Sequence, residues 1–264
     1  MNQHAAALIL ATSVAFGTCA FPADVVAQTP AGLSAAGQAL APQDDAVSLR
    51  RVVASAFDDL RRLPSWETAT ILSIGGAGAA IGHAWDAQSS ERLSSSRDLT
   101  PVFNAGRTIG STEVNVAAAF ATYALGRLTD HPRATAIGAD LIRAQIVTQI
   151  TTQGVKLAVG RTRPDGTSFS FPSGHSATAF ATATVLQRNL GWKVGIPAYG
   201  VAAYVATSRV QAKRHYLSDI AFGAAVGVVA GRTVTVGRGQ SKFSISPSVT
   251  PGGGAVNFTW LGQQ

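Results

Sequence analysis

The sequence predicts an all-α protein, a helical bundle with a small C-terminal β-hairpin. Three observations carry that expectation. Apolar residues make up 46% of the 264 and charged residues only 13%, so the chain can bury a large core and is too apolar to stay disordered. Apolar blocks of helix length follow one another, punctuated by Gly, Pro and Ser. Only near the C-terminus does the apolar period change to two.

Residues 1–27 read as an export signal. No charge occurs from Ala5 to Ala23, "AAALILATSVAF" suits an apolar h-region, and Ala27 offers a small residue for cleavage. The n-region "MNQH" lacks Lys and Arg, which leaves a retained anchor as the alternative. Cys19 is the only cysteine, so a mature chain without it has no disulfide, thiol nucleophile or cysteine metal site. Residues 28–46, rich in Ala, Gly, Gln and Pro, read as a linker.

Residues 47–100 are expected to hold N-terminal helices and a loop. "VSLRRVVASAFDDLRRLPS" forms an amphipathic helix with Val53, Phe57 and Leu60 on one face, stopped by Pro64. The uncharged run Thr68–Trp85 reaches the length of a membrane span but contains four glycines and His83. The Ser-rich stretch 86–100 reads as a loop.

Residues 101–236 form the expected helical core, with helices near 101–127, 133–159, 174–190, 193–208 and 216–232. The helix after Pro132 carries Asp140, Arg143, Gln145, Gln149 and Gln153, which are costly against lipid. The expectation is therefore a water-facing bundle, with membrane attachment left open. In residues 237–264, "KFSISPSV" and "AVNFTW" flank "TPGGG" and read as the hairpin. Phe243, Ile245 and Val249 share one strand face, and Val256, Phe258 and Trp260 share another.

The net charge of +7 admits nucleic acid, an anionic membrane surface or an anionic substrate as partner. The cations form no Lys/Arg run and aromatics are few, which argues against nucleic acid. Chemistry concentrates in three clusters instead. "KLAVGRTRP" holds Lys156, Arg161 and Arg163. "PSGH" ends on His175. "SRVQAKRHYLSD" holds Arg209, Arg214, His215 and Asp219.

His215 and Asp219 are four apart, which on a helix puts them on one face. The carboxylate then fixes the histidine tautomer and frees the other ring nitrogen. An ordinary surface pair is the alternative. Lys156, Arg163 and Arg209 supply three cations, suited to phosphate oxygens. Arg161 and Arg214 read either as their neighbours or as solvated side chains. Ser173 suits a helix N-cap, and Gly174 allows close backbone approach to an anion at the helix start. His175 beside that anion could protonate a departing oxygen. A capped helix with a water-facing histidine is the alternative. With five histidines and no HExxH-type spacing, a metal site is disfavoured.

Lys-x6-Arg-Pro (Lys156–Pro164), Pro-Ser-Gly-His (Pro172–His175) and Ser-Arg-x5-His-x3-Asp (Ser208–Asp219) occur in this order. Together they resemble the three-part signature of the type 2 phosphatidic acid phosphatase family. That family shares a superfamily with bacterial non-specific acid phosphatases and vanadium haloperoxidases. The likeness covers about residues 115–235 and has no departure at the marked positions. It implies an all-helical bundle with the site at helix ends. His215 would be the nucleophile that becomes phosphohistidine, Asp219 its orienting acid and His175 the general acid. Lys156, Arg163 and Arg209 would clamp the phosphate, with Ser173 and Gly174 as side-chain and backbone donors.

The function expected on this basis is a metal-independent phosphatase that needs no cofactor. It would act on a lipid phosphate or a small phosphate ester, in the periplasm or cell envelope. Two alternatives stand beside it. One is a haloperoxidase holding vanadate in the same pocket; the other is a non-catalytic envelope protein that binds phosphate or lipid.

Overall fold

The computed structural model describes residues 10–15, 48–95, 99–236, 242–250 and 253–261. The chain divides into a helical unit, Val47–Arg238, and a second unit that contains the strands.

Nine helices are described in the helical unit: α1 Leu49–Arg62, α2 Trp66–His83, α3 Asp86–Ser95, α4 Leu99–Ile109, α5 Thr112–Leu128, α6 Pro132–Val159, α7 Gly174–Leu190, α8 Trp192–Gln211 and α9 Leu217–Val234. Local chemistry sets many of their ends. Ser48, Ser65, Ser111 and Ser173 each accept a hydrogen bond from a first-turn N–H of the following helix. Pro132 opens α6, and Gly160 closes it at φ 61°, a conformation that a glycine adopts without strain.

Three local expectations change. The stretch 86–100, read as a loop, contains α3 because Asp86 is buried and anchored at the helix start. The helix expected near 101–127 divides into α4 and α5. Gly110 packs against Val205 of α8, and Ser111 then caps a new helix. In α1 the buried stripe is Val52, Ala56 and Asp59, whereas Val53 and Phe57 lie outward. The reason is an ion pair. Arg143 of α6 donates two 2.7 Å bonds to the fully buried Asp59, and this turns α1 onto α6.

At the centre, α7 packs against α6, α8 and α9. One apolar core joins α1, α5, α6, α7 and α9 around Ile142, Val147, Val185 and Val234. The α7–α9 seam is very close. A Cβ on Gly223 would lie 2.6 Å from the Ser173 carbonyl oxygen, and one on Gly227 would lie 2.2 Å from that of Ala177. Those glycines bring the start of α7 against the start of α9. The Ser173 N–H donates to the Asp219 carbonyl at 3.0 Å, and the Ser176 hydroxyl donates to Ile220 O at 2.8 Å.

The polar groups that argued against lipid contact on α6 are largely taken inward. Asp140 and Gln145 are buried, and Gln149 donates to Thr112 and Thr178. By contrast, α2 turns Ile74 and Ile81 outward and is bracketed by Trp66, 90% exposed, and the half-exposed Trp85. Among the described helices, only α9 is long and apolar enough to cross a membrane, and 61% of that stretch is buried in the bundle.

In the second unit, β1 (Leu10–Ala15), β2 (Lys242–Thr250) and β3 (Gly253–Leu261) form an antiparallel sheet in the order β1-β3-β2. The expected hairpin is β2–β3, with Phe243 opposite Trp260 and Ile245 opposite Phe258. The added strand β1 comes from the stretch read as an export signal and pairs Leu10 with Trp260. The linker 28–46 lies outside the described residues.

Candidate active site

Three chain segments meet at the ends of α6, α7 and α9. The loop after α6 carries Arg161, Arg163 and Ser170. The start of α7 carries Ser173, Gly174 and His175. The turn between α8 and α9 carries His215, with Arg209 on the last turn of α8 and Asp219 in the first turn of α9. Arg107 on α4 joins them from outside the predicted motifs. The resulting cleft has a volume of about 450 Å³ and is lined by Arg107, Arg163, His175, Arg209, Ala212, Arg214 and His215. Among the described residues no carboxylate lines it.

His215 is buried at 4% exposure. Its Nδ1 lies 2.7 Å from the Ser170 carbonyl oxygen. A carbonyl can only accept, so Nδ1 carries the proton and neutral His215 has a bare Nε2. Burial holds the His215 pKa below its ordinary value, as do Lys156 and Arg163, while Asp219 opposes the shift. The ring is therefore neutral at neutral pH, with a free lone pair.

Asp219 does not meet His215 as two neighbours on one helical face would. His215 precedes α9, and its Nδ1 is 3.6 Å from Asp219 Oδ2. Beside that contact the carboxylate also acts through the loop. Oδ2 accepts from the Ser170 hydroxyl and, at 2.8 Å, from the Tyr216 N–H. Oδ1 accepts from Arg161 at 2.7 Å. Burial raises the Asp219 pKa, but the contacts to His215, Ser170, Tyr216 and Arg161 outweigh it and hold the carboxyl below its ordinary value. Ser170 thus contacts both partners, with its carbonyl on the histidine and its hydroxyl on the aspartate.

The predicted cations differ in placement. Arg163 and Arg209 face the cleft, and the buried Nε of each has no hydrogen-bond partner among the described residues. Burial, then Arg214, Arg107 and Arg163, lowers Arg209 to about 10. Lys156 does not line the cleft. Its ammonium is buried behind the loop and donates to the Phe169 carbonyl at 2.7 Å. Burial lowers it to about 8, with Arg163 adding to the effect and Asp219 opposing it.

Ser173 is fully buried and caps α7 as expected, though its own N–H is taken by Asp219 O. The Gly174 and His175 N–H groups, at the first two helical positions, have no intrahelical acceptor. His175 lines the cleft. Burial, then Arg209 and His215, lowers its pKa to about 4.

Arg214, half-exposed, pairs with Asp165 at 2.8 Å. Arg161, left open as a solvated side chain, proves to be an interior bridge between Asp219 and Asp86. The sequence reading missed Arg107, Ser170 and Asp86. Only Asp86 left a trace, as an acid set just after an uncharged run.

Residues 134–242 match the family model of the PAP2 superfamily, and all three motifs fall inside that stretch. The motif-bearing region is thus similar to the PAP2 superfamily. Over 80 residues the chain is 45% identical to the lipid A 1-phosphatase of Porphyromonas gingivalis, a match covering 29% of this chain and 18% of that protein. Over 99 residues it is 29% identical to the lipid A 4'-phosphatase of Helicobacter pylori, covering 33% and 50% respectively. The matches therefore span half or less of either relative's length. Two crystal structures are similar, each 20% identical. Aquifex aeolicus LpxE has a TM-score of 0.49, with 57% of this chain and 94% of that one covered. A transmembrane PAP2 type phosphatidylglycerolphosphate phosphatase from Bacillus subtilis has a TM-score of 0.43, with 70% and 92% covered.

Proposed function

We propose that this protein is a phosphatase that hydrolyses a lipid phosphomonoester at the cell envelope through a phosphohistidine. One observation carries the reading. His215 with its bare Nε2, His175, Arg163 and Arg209 line a single cleft, and among the described residues no carboxylate lines it.

The chemistry follows from that arrangement. Nε2 of His215 attacks phosphorus, and the bond from phosphorus to the ester oxygen breaks. The arginine donors and the free N–H groups of Gly174 and His175 take the charge on the phosphoryl oxygens. Lys156 adds its charge from behind the loop. His175 gives its proton to the leaving alcohol. A phosphate dianion raises the pKa of a histidine beside it, so substrate binding favours the protonated ring that this step needs. In the second half, neutral His175 takes a proton from water as the water attacks phosphorus, and inorganic phosphate leaves with His215 restored. The arginines occupy the charge-neutralising role that divalent cations have in other phosphoryl transferases.

A lipid substrate is supported by the names of the two curated relatives and by the outward apolar face of α2. Trp66 and Trp85 bracket that face, as interfacial tryptophans do in lipid-contacting helices. The uncharged N-terminal stretch supports the envelope location.

The test is phosphate release by the purified full chain in detergent and EDTA. Substrates are phosphatidic acid, lipid A and a soluble aryl phosphate, with wild type and His215→Ala in parallel. Wild type should release phosphate faster from a lipid than from the aryl ester. The variant should lose about 10⁶-fold, the scale seen when a catalytic nucleophile is removed. Undiminished activity in His215→Ala overturns the nucleophile. Oxidation of bromide with vanadate and peroxide, without phosphate release, would establish the haloperoxidase alternative.

A further inference from the structure

We propose that Arg161, anchored by Asp86, is a positioning residue for the His215–Asp219 pair. It holds one carboxylate oxygen of Asp219 so that the other stays on the Ser170 hydroxyl and keeps the Ser170 carbonyl, which fixes the His215 tautomer, against Nδ1. The rate readouts below rest on the phosphatase reading; the tautomer readout does not.

The geometry separates the two oxygens of Asp219. Oδ1 belongs to Arg161 at 2.7 Å, and Oδ2 to Ser170 and the Tyr216 N–H. The guanidinium is itself held on several sides. Its other arm donates to Asp86 Oδ2 at 2.7 Å, it donates to the Ser218 hydroxyl at 2.7 Å, and its face lies 4.2 Å from the Tyr216 ring centre. Asp86 accepts from the Ser218 N–H at 2.9 Å and from its hydroxyl at 2.6 Å. Arg161 therefore touches the orienting acid, Asp219, and the nearby residues Tyr216 and Ser218.

The charges are mutually dependent. Burial disfavours ionisation of both Arg161 and Asp86, but their hydrogen bond keeps the guanidinium charged and the carboxyl below its ordinary pKa. Without Arg161, Oδ1 of Asp219 would have no fixed donor. The carboxylate could then turn away from the Ser170 hydroxyl, and the Ser170 carbonyl, no longer held in place by that bond, would leave the Nδ1 proton without a fixed acceptor. The lone pair on Nε2 would no longer be assured. Asp86 starts α3, so a helix outside the three motifs becomes part of the catalytic support.

The experiment uses the full chain in detergent, labelled with ¹⁵N-histidine. There are five histidines, and loss of a signal in His215→Gln assigns its imidazole. Wild type should show Nδ1 protonated and Nε2 bare. Arg161→Gln, and the charge-balanced double variant Arg161→Gln with Asp86→Asn, should show a mixed tautomer. The double variant guards against unfolding caused by an unpaired buried carboxylate.

In both variants kcat should fall about tenfold or more with KM little changed, the pattern of an interaction made in the transition state. Arg161→Lys should recover part of the loss. An unchanged His215 tautomer in a folded variant overturns the proposal, as does a loss in KM equal to that in kcat. If wild type releases no phosphate, the phosphatase reading fails, and the tautomer alone decides the role of Arg161.

Discussion

The two sides of His215 are built on opposite principles. In front, the cleft gathers Arg107, Arg163, Arg209 and His175, and the buried Nε of Arg163 and of Arg209 has no hydrogen-bond partner among the described residues. Behind, Asp219, Ser170, Arg161 and Asp86 saturate one another with short hydrogen bonds. An unsatisfied buried donor costs stability, of the order of 1–3 kcal/mol, and persists where a ligand will satisfy it. A saturated network is rigid and holds one geometry. In the proposed mechanism the front binds charge, and the back orients the group that attacks.

That contrast breaks down if front and back variants give the same kinetic signature. The largest effect is expected behind the histidine. Asp219→Asn should keep the fold and lower kcat by up to about 10⁴-fold, the scale seen when an orienting aspartate is neutralised, with little change in KM. Steady-state kinetics together with circular dichroism check this, and an unchanged kcat would reduce the back network to scaffolding. In front, Arg209→Lys keeps the charge but loses the fork, so kcat/KM should fall about 10²-fold with KM rising as well. Wild-type kinetics from that variant would make Arg209 a mere electrostatic neighbour.

The smallest effect is in the pH profile. Burial, with Arg163, lowers Lys156 to about 8. A cation with a lowered pKa loses its charge sooner as pH rises. The kcat/KM profile, which reports the free enzyme, should therefore fall through about pH 8 and be down about tenfold one unit higher. Lys156→Arg, whose charge persists, should carry that limb to higher pH. A limb that stays in place assigns it to another group.

Much of the front was legible in the sequence. Arg163, His175 and Arg209 stand in motifs whose order and spacing are diagnostic, and Ser173 reads as a cap from local chemistry alone. The back was less legible. Four-residue spacing suggested direct contact between His215 and Asp219, but the chain turns between them before α9 begins. Nδ1 instead finds the backbone carbonyl of Ser170, and no side-chain pattern encodes a carbonyl acceptor. Asp86 is remote in sequence and sits in a Ser-rich stretch that resembles a loop. The hydrophobic stripe of α1 misled for a similar reason: one buried ion pair with Arg143 outweighed its apolar periodicity.

The sequence by itself determined the helical class, most helices of the core, the hairpin and the three motifs whose residues gather at one end of the bundle. These are local matters of period, capping and motif spacing, each complete within a few turns of chain. Tertiary structure alone decided which side of α1 is buried, that β1 joins the hairpin, that Lys156 stands behind the loop, and that Arg107 enters the cleft. It also decided how Asp219 reaches His215 through Ser170 and Arg161. Those outcomes depend on contacts between distant segments, above all the glycine-lined approach of α7 to α9. A seam that close fixes backbone groups to within a hydrogen bond of one another, and only the packed chain brings them there.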